Sequence, residues 1–330
     1  MSRIIRRTAL ASVLVPLIAA CSSSERSSAP SSATTVSTSA SSPTESSGTA
    51  SASVKPSVGT AVVPTEADAE RAFHLGRYEE AASMFQAYAE SEPDNAWGHY
   101  MLGLSAWKIG DHTRALEAFD AALRLDPSHR KSLLNSARVL LEMGRPQDAI
   151  DRVDRALGLE PLSSEGLRLA GRAHYELGEV DAAIDAYQRA LAIDDRDVWA
   201  MNNLGYIYIQ QGRTDSALPP LARAVELRRN VPVFQNNFAT ALERSGHFVS
   251  AREAYEAALA ADSTYTKAAV GLERVKVNGV QSDNSTVDVA ALSQAFQTQV
   301  DQWRTRTLTA DSTSKVDTVP APVMARDSVQ

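Results

Sequence analysis

The residues able to do chemistry are scattered through the chain without the spacing that a catalytic or metal site needs. The only cysteine is Cys21. The six histidines each lie more than ten residues from the next: His74, His99, His112, His129, His174 and His247. Zinc ligands usually come in closely spaced pairs, and no Ser-His-Asp order, phosphate-binding glycine loop or paired carboxylates stand out. We therefore expect no enzymatic activity, no metal and no other cofactor.

The charge balance limits the class of partner. The 330 residues include 33 Lys and Arg against 40 Asp and Glu, a net charge of −7. Nucleic acids and anionic membrane surfaces bind basic footprints, and no apolar run reaches the roughly 20 residues of a membrane-spanning helix. We expect no nucleic-acid partner and no polypeptide segment that spans a membrane.

The amino terminus has the layout of a secretory signal peptide over residues 1–20. Three arginines in the first seven residues precede an apolar stretch, Ala9 to Ala20, that ends in small residues. The sequence Leu-Ile-Ala-Ala before Cys21 resembles the bacterial lipobox. That resemblance implies cleavage after Ala20 and acylation of Cys21. A plain signal peptide with an incidental cysteine is the alternative.

The residue after Cys21 bears on localisation. Retention in the inner membrane usually requires Asp there, whereas this chain has Ser22. The resemblance therefore implies a protein anchored to the bacterial outer membrane and facing the periplasm, or to the cell membrane or surface if there is one membrane. The rest of residues 21–63 is rich in Ser and Thr and predicts a disordered tether.

A register of thirty-four residues fills the middle of the chain. Six glycines mark it: Gly76, Gly110, Gly144, Gly178, Gly212 and Gly246. An alanine follows each by five positions: Ala81, Ala115, Ala149, Ala183, Ala217 and Ala251. A large apolar residue follows each by nine: Phe85, Phe119, Val153, Tyr187, Leu221 and Tyr255. This pattern resembles the tetratricopeptide repeat, in six units from Val62 to Tyr265.

The resemblance implies an all-α fold. Six helix pairs over residues 64–265 stack into a right-handed superhelical solenoid with a concave groove, and residues 266–278 form a capping helix. Pro219 and Pro220 fall inside the second helix of repeat five, which predicts a kink near Ala217–Pro220. Residues 279–330 are expected to form a loop, an amphipathic helix at 287–308 and a disordered tail. That helix would pack on the cap, occupy the groove or dock a partner.

In this family the first helix of each pair lines the groove, and asparagines there can bind the backbone of an extended peptide. The matching positions carry five asparagines: Asn135, Asn202, Asn203, Asn236 and Asn237. The alternative is that these side chains are structural and bonded within the repeats. Under the peptide-binding interpretation, substituting Asn203 and Asn237 with Ala should abolish peptide capture and leave the helical melt unchanged.

Basic and aromatic residues share the groove positions. Arg138, Arg168 and Arg172 are candidates for reading a carboxylate, although Glu142, Glu165 and Glu176 could simply pair with them as local salt bridges. The pattern does not match the carboxylate clamp of co-chaperones. The aromatic candidates are Trp97, Tyr100, Trp107, Tyr175, Trp199 and Tyr206, of which about half should belong to the core.

These observations favour a protein-interaction scaffold of the cell envelope. Its partner would be a protein or peptide, contact with the membrane would be through the lipid alone, and no small-molecule substrate is expected from an open superhelix. The architecture is similar to that of the lipoprotein pilotins of type IV pili, which assist secretin assembly. The rival hypothesis is an adaptor that recruits peptidoglycan synthases or hydrolases.

Overall fold

The computed structural model describes residues 65–278 and 286–314, with side chains for residues 65–277 and 286–306. The predicted signal peptide, Cys21, the tether, residues 279–285 and residues 315–330 lie outside these ranges. Every regular element in the described ranges is an α-helix. Their bounds are α1 Glu66–His74, α2 Tyr78–Ser91, α3 Ala96–Lys108, α4 His112–Leu125, α5 Arg130–Glu142, α6 Pro146–Leu159, α7 Ser164–Glu176, α8 Val180–Ile193, α9 Val198–Gln210, α10 Thr214–Leu227, α11 Pro232–Arg244, α12 Phe248–Ala261, α13 Thr266–Asn278 and α14 Val289–Ser314.

The helices α1 to α12 form six pairs, and a register glycine ends the first helix of each pair. All six glycines have positive φ, from 69° at Gly144 to 84° at Gly246. A residue with a Cβ adopts this conformation at a cost, whereas glycine does not. The predicted all-α solenoid of six helix pairs is confirmed.

A second set of glycines lets the paired helices approach closely. A Cβ on Gly103 would lie 2.6 Å from the ring of Phe119, and one on Gly205 would lie 2.4 Å from Leu221. Each glycine stands eighth in its repeat, and the apolar side chain that fills the space beside it stands nine after the turn glycine. The two positions are therefore one packing unit.

In five of the six repeats, from α1 to α9, the side chain of the residue before the first helix caps that helix. The Asn95 side chain accepts hydrogen bonds from the amides of Trp97 and Gly98 at 3.0 and 3.2 Å. Asp197 caps α9 in the same way, at 3.1 and 3.0 Å. These bonds satisfy amides that a helix terminus leaves without partners.

The two prolines of repeat five do not interrupt their helix. The helix α10 runs unbroken through Pro219 and Pro220, and both are buried. The amide of Ala217, just before them, still donates to the Arg213 carbonyl at 3.1 Å. A bend near Ala217–Pro220 stays a prediction, but the helix does not end there.

The amphipathic helix expected at 287–308 is observed as α14. Asp288 begins it by accepting a hydrogen bond from the amide of Ala291 at 3.0 Å. Its main contacts are with α10 and α8. The expectation that it packs on the cap or in the groove is therefore wrong, because its apolar stripe is buried against the second helices of repeats four and five.

Three side chains anchor α14: Phe296, Val300 and Trp303 are at most 9% exposed. They belong to the same apolar cluster as Leu218 and Val225 of α10. Burying a large apolar side chain stabilises a fold by about 1.5–3 kcal/mol. The helix α14 is therefore an integral part of the folded unit.

Candidate partner-binding groove

The first helices form one continuous layer. From α3 to α13, each first helix contacts the next one along the chain. The second helices lie outside this layer, and α14 covers two of them, α8 and α10. The surface of the first helices that faces away from the second helices is the candidate groove.

Four of the five asparagines lie together and bond to one another. Asn237 of α11 donates from Nδ2 to Oδ1 of Asn202 of α9 at 2.9 Å. Asn202 donates to Asn203 at 3.3 Å, and Asn203 donates to the hydroxyl of Tyr187 at 3.2 Å. Asn236 donates to Asn237 at 3.4 Å. We call this chain of five residues the asparagine relay; it joins repeats four, five and six.

The asparagine relay is mostly enclosed. Asn202 is 2% exposed, and Asn236 and Asn237 are 8% and 9% exposed. Asn203 is only half-buried. A partner would therefore meet Asn203 first, and bonding to the other three would require breaking bonds within the relay. Peptide binding by these asparagines stays a prediction.

The fifth asparagine lies apart from the relay. Asn135 donates to the carbonyl of Lys131 at 2.9 Å and accepts from Arg138 at 2.6 Å. Arg138 also pairs with Glu165, and its guanidinium carbon lies 5.2 Å from the ring centroid of Trp107. Asn135 thus orients an arginine on the groove layer.

The indole nitrogen of Trp107 also makes a hydrogen bond to the next repeat. Its Nε1 donates to Oε2 of Glu142 at 2.7 Å, and Nε2 of His112 lies 3.2 Å from the same oxygen. The Glu142 side chain is 8% exposed. The indole is therefore fixed between repeats two and three.

The other two candidate arginines are tied to carboxylates through Nε. Arg168 lies 2.8 Å from Oδ2 of Asp197, and Arg172 lies 2.8 Å from Oε1 of Glu176. Asp197 is also the cap of α9, so the first pair links repeats four and five. These contacts agree with the hypothesis of local salt bridges.

The aromatic candidates other than Trp107 divide into two groups. Tyr175 and Tyr206 meet edge to face with ring centroids 6.1 Å apart, and both are half-buried. Burial raises the pKa of Tyr175, and the neighbouring Tyr206 raises it further. This pair is accessible from the groove layer and rigid, which suits it to anchor a partner.

The second group belongs to the core. Trp97 packs edge to face on Phe85 at 5.6 Å, and Trp199 packs on Phe234 at 4.9 Å. Tyr100 is 9% exposed. These side chains hold neighbouring repeats together.

Sequence reasoning missed several polar residues that set the geometry. The register predicts only apolar filling for Tyr187, yet its hydroxyl accepts a hydrogen bond from Asn203 in the asparagine relay. Glu226 accepts a hydrogen bond from Ser293 of α14. A signal for the α14 contact was present: Pro219 and Ala222 stand where other repeats have charged or polar residues.

Residues 65–278 and 286–314 hold neither a candidate metal site nor a helix fit to cross a membrane. No group of three or more His, Cys, Asp or Glu side chains there could hold a metal ion. None of the helices that the structure describes is long and apolar enough to cross a membrane.

Comparison with protein families decides the identity of the repeats. One tetratricopeptide-repeat model matches residues 67–130 and 134–198, and a second matches residues 167–230. This chain is a tetratricopeptide-repeat protein. Such proteins generally act as interaction scaffolds. No curated protein was found to be similar in sequence.

Solved structures of other tetratricopeptide-repeat proteins share the fold. A repeat protein from Parabacteroides merdae aligns with a TM-score of 0.53 at 12% identity, over 63% of this chain and 81% of that one. The Cut9–Hcn1 hetero-tetramer of the APC/C gives 0.58 at 18% identity, over 63% of this chain and 41% of that one. MamA from Desulfovibrio magneticus RS-1 gives 0.46 at 24% identity, over 49% and 91%. At these identities, the likeness of the first two structures concerns the fold alone.

Proposed function

We propose that this tetratricopeptide-repeat protein is a non-enzymatic scaffold of the bacterial envelope, anchored by a lipid on Cys21. Its groove binds an extended segment or a helix of a protein partner. In this way it assists the assembly of a secretin, a pilus or another envelope complex.

The Tyr175–Tyr206 pair carries the proposal for the groove. The pair lies on the continuous layer of first helices, is half-buried, and its rings are fixed by mutual contact. Aromatic side chains with little freedom to lose are preferred anchors in protein interfaces. Arg172 stands on the same helix as Tyr175, so an apolar anchor and a charged group are presented together.

The amino-terminal sequence supports the proposal that the protein is anchored in the cell envelope. The lipobox-like residues end at the only cysteine in the chain. The Ser- and Thr-rich composition between Cys21 and the repeats predicts a disordered tether, and a coil of that length would span roughly 35–40 Å. The groove could therefore meet a partner well away from the membrane surface.

The partner can be identified by crosslinking in intact cells of the source bacterium. The full chain, with an affinity tag placed after Gln330, is crosslinked, extracted in detergent and captured. A secretin or pilus component in the product supports assembly assistance, whereas a peptidoglycan synthase or hydrolase supports the rival adaptor role.

The anchor is tested in the same cells with a palmitate analogue that can be labelled. We expect the wild-type chain to carry the label and the Cys21→Ala variant to lack it and leave the membrane fraction. Equal labelling of both chains, or an unlabelled wild type, would overturn the lipid-anchor proposal.

A further inference from the structure

Arg168 and Arg172 differ from the other arginines of the groove in how their donors are used. Each contacts its carboxylate through Nε alone, at 2.8 Å. No hydrogen bond from Nη1 or Nη2 of either residue is made within the described ranges. Arg138, by contrast, uses Nη1 on Asn135 and Nη2 on Glu165.

Both arginines belong to the same helix, α7. Arg168 and Arg172 stand four positions apart on α7, and such residues lie on one face with their Cβ atoms about 5–6 Å apart. Their side chains are 23% and 18% exposed, so water reaches them only in part. The Nε contacts fix both guanidinium planes before a ligand arrives, which reduces the entropy lost on binding.

Three acidic side chains near this pair already bond to arginines. Asp197 and Glu176 hold the two Nε atoms, and Glu165 is paired with Arg138. The adjacent helix α9 contains no charged residue. On the other side, Lys131 of α5 is exposed and adds positive charge.

We propose that Arg168 and Arg172 form a site for the aspartate or glutamate side chains of an extended acidic partner segment. Each guanidinium presents two terminal nitrogens to a carboxylate, and such charge-assisted bonds are about twice as strong as neutral ones. The half-buried Tyr206 of α9 lies beside Tyr175 on the same layer and supplies an apolar contact for the segment. The site rests on the proposed function, since it specifies the chemistry of the groove partner.

The test uses two synthetic peptides with blocked termini and the full chain in detergent. One peptide has twelve residues with aspartate alternating with alanine, and the other replaces every aspartate with asparagine. We expect the aspartate peptide to bind about tenfold more tightly or better at low salt, measured by calorimetry. Equal affinities, or no binding of the aspartate peptide at millimolar concentration, would overturn the site.

Variants distinguish binding at this site from a general attraction between the peptide and the charged surface. Arg172→Gln removes only a pair within α7, and it should lower the affinity for the aspartate peptide about tenfold. Arg168→Lys keeps the charge near the cap Asp197 but loses the planar fork, and it should weaken binding less. Arg145→Gln is the matched control, because Arg145 pairs with Asp148 outside the groove. An equal loss in Arg145→Gln and Arg172→Gln would contradict the proposal.

The two proposals fail differently. If the groove crosslinks a partner in cells but the peptides do not distinguish aspartate from asparagine, the scaffold function stands and the acidic-segment site falls. If no partner crosslinks to the groove, the scaffold function itself is wrong.

Discussion

Nη2 of Arg304 lies 3.0 Å from Oδ2 of Asp195, a residue 109 positions earlier in the chain. Nε of Arg304 also donates to the carbonyl of Ala192 at 3.0 Å. Burial alone would raise the pKa of the Asp195 carboxyl, but hydrogen bonds from Arg304 and Gln297 outweigh it and hold that pKa below its usual value. The helix α14 is thus tied to repeat four by charge as well as by its apolar stripe.

Truncating the apolar stripe should loosen the second half of the solenoid. Phe296 is 1% exposed, and we expect Phe296→Ala to lower the free energy of unfolding by about 3–5 kcal/mol. Amide hydrogen exchange should show the loss of protection first in α10, because α14 covers this helix. Gln299→Ala, on the exposed face of α14, is the control and should change little. Wild-type protection of α10 in Phe296→Ala would show that α14 is not part of the folded unit.

Two glycine substitutions should have opposite effects. In Gly205→Ala the new Cβ would lie 2.4 Å from Leu221, and we expect a loss of about 1–3 kcal/mol in the free energy of unfolding, or more. In Gly158→Ala nothing lies within 4 Å of the new Cβ, and we expect a gain of about 0.5–1 kcal/mol. Denaturant unfolding of both variants checks this. Similar stabilities would contradict the close approach of α9 and α10.

The asparagine relay should contribute to stability. Asn202 bonds to both Asn237 and Asn203, so Asn202→Ala leaves buried partners unsatisfied. We expect it to cost about 1–3 kcal/mol. Asn135→Ala, at a half-buried position outside the relay, should cost less. This prediction opposes the expectation from sequence that Asn203→Ala and Asn237→Ala leave the melt unchanged, because both residues bond to Asn202 in the relay. An unchanged melt of Asn202→Ala would contradict a stabilising role of the relay.

Tyr255 should make stability depend on alkaline pH. Its hydroxyl lies 2.8 Å from Oε2 of Glu243, and burial raises the pKa of Tyr255 from 10.0 to about 12. Because the folded-state pKa exceeds the unfolded value, the contribution is complete below the unfolded pKa. It should be lost as the pH rises from about 10 toward 12, on the order of 2 kcal/mol.

The variant Tyr255→Phe should lack this dependence. Unfolding free energies of wild type and variant, measured between pH 9 and pH 12 at about half-unit steps, are the test. The two curves should converge as the pH rises through the folded pKa. Parallel curves would show that Tyr255 is not protected from ionisation.

The fold could be predicted from sequence because each register position has a local cause. Gly76 needs positive φ, and Gly205 needs the absence of a Cβ. Such requirements act within one helix pair, so they repeat wherever the pair repeats. The register therefore predicted the helix pairs and the turns between them.

The place of α14 could not be predicted in the same way. Its apolar period indicates a buried stripe but does not name the surface that buries it. The decisive signal lay elsewhere in the chain, in Pro219 and Ala222 on the outer face of α10. From the sequence alone, Pro219 and its neighbour Pro220 predict a kink instead.

The sequence predicted which residues belong to the candidate site, but not which of them form hydrogen bonds with one another. An asparagine side chain can serve a peptide or another asparagine equally well, since it carries both donors and an acceptor. Only distances distinguish the two. They place Asn202, Asn203 and Asn237 within the relay, where only Asn203 is half-buried and not enclosed. Tyr175 and Tyr206 are half-buried as well.

The central claim is that the layer of first helices, not the outer helices, meets the partner. A photoreactive benzophenone side chain placed at Tyr206 and, as a matched control, at the exposed Asp185 of α8 tests it most directly in living cells. We expect a discrete crosslinked product, sensitive to Arg172→Gln if the partner segment is acidic, from position 206 and none from position 185. Equal products from both positions, or a product only from position 185, would contradict the account.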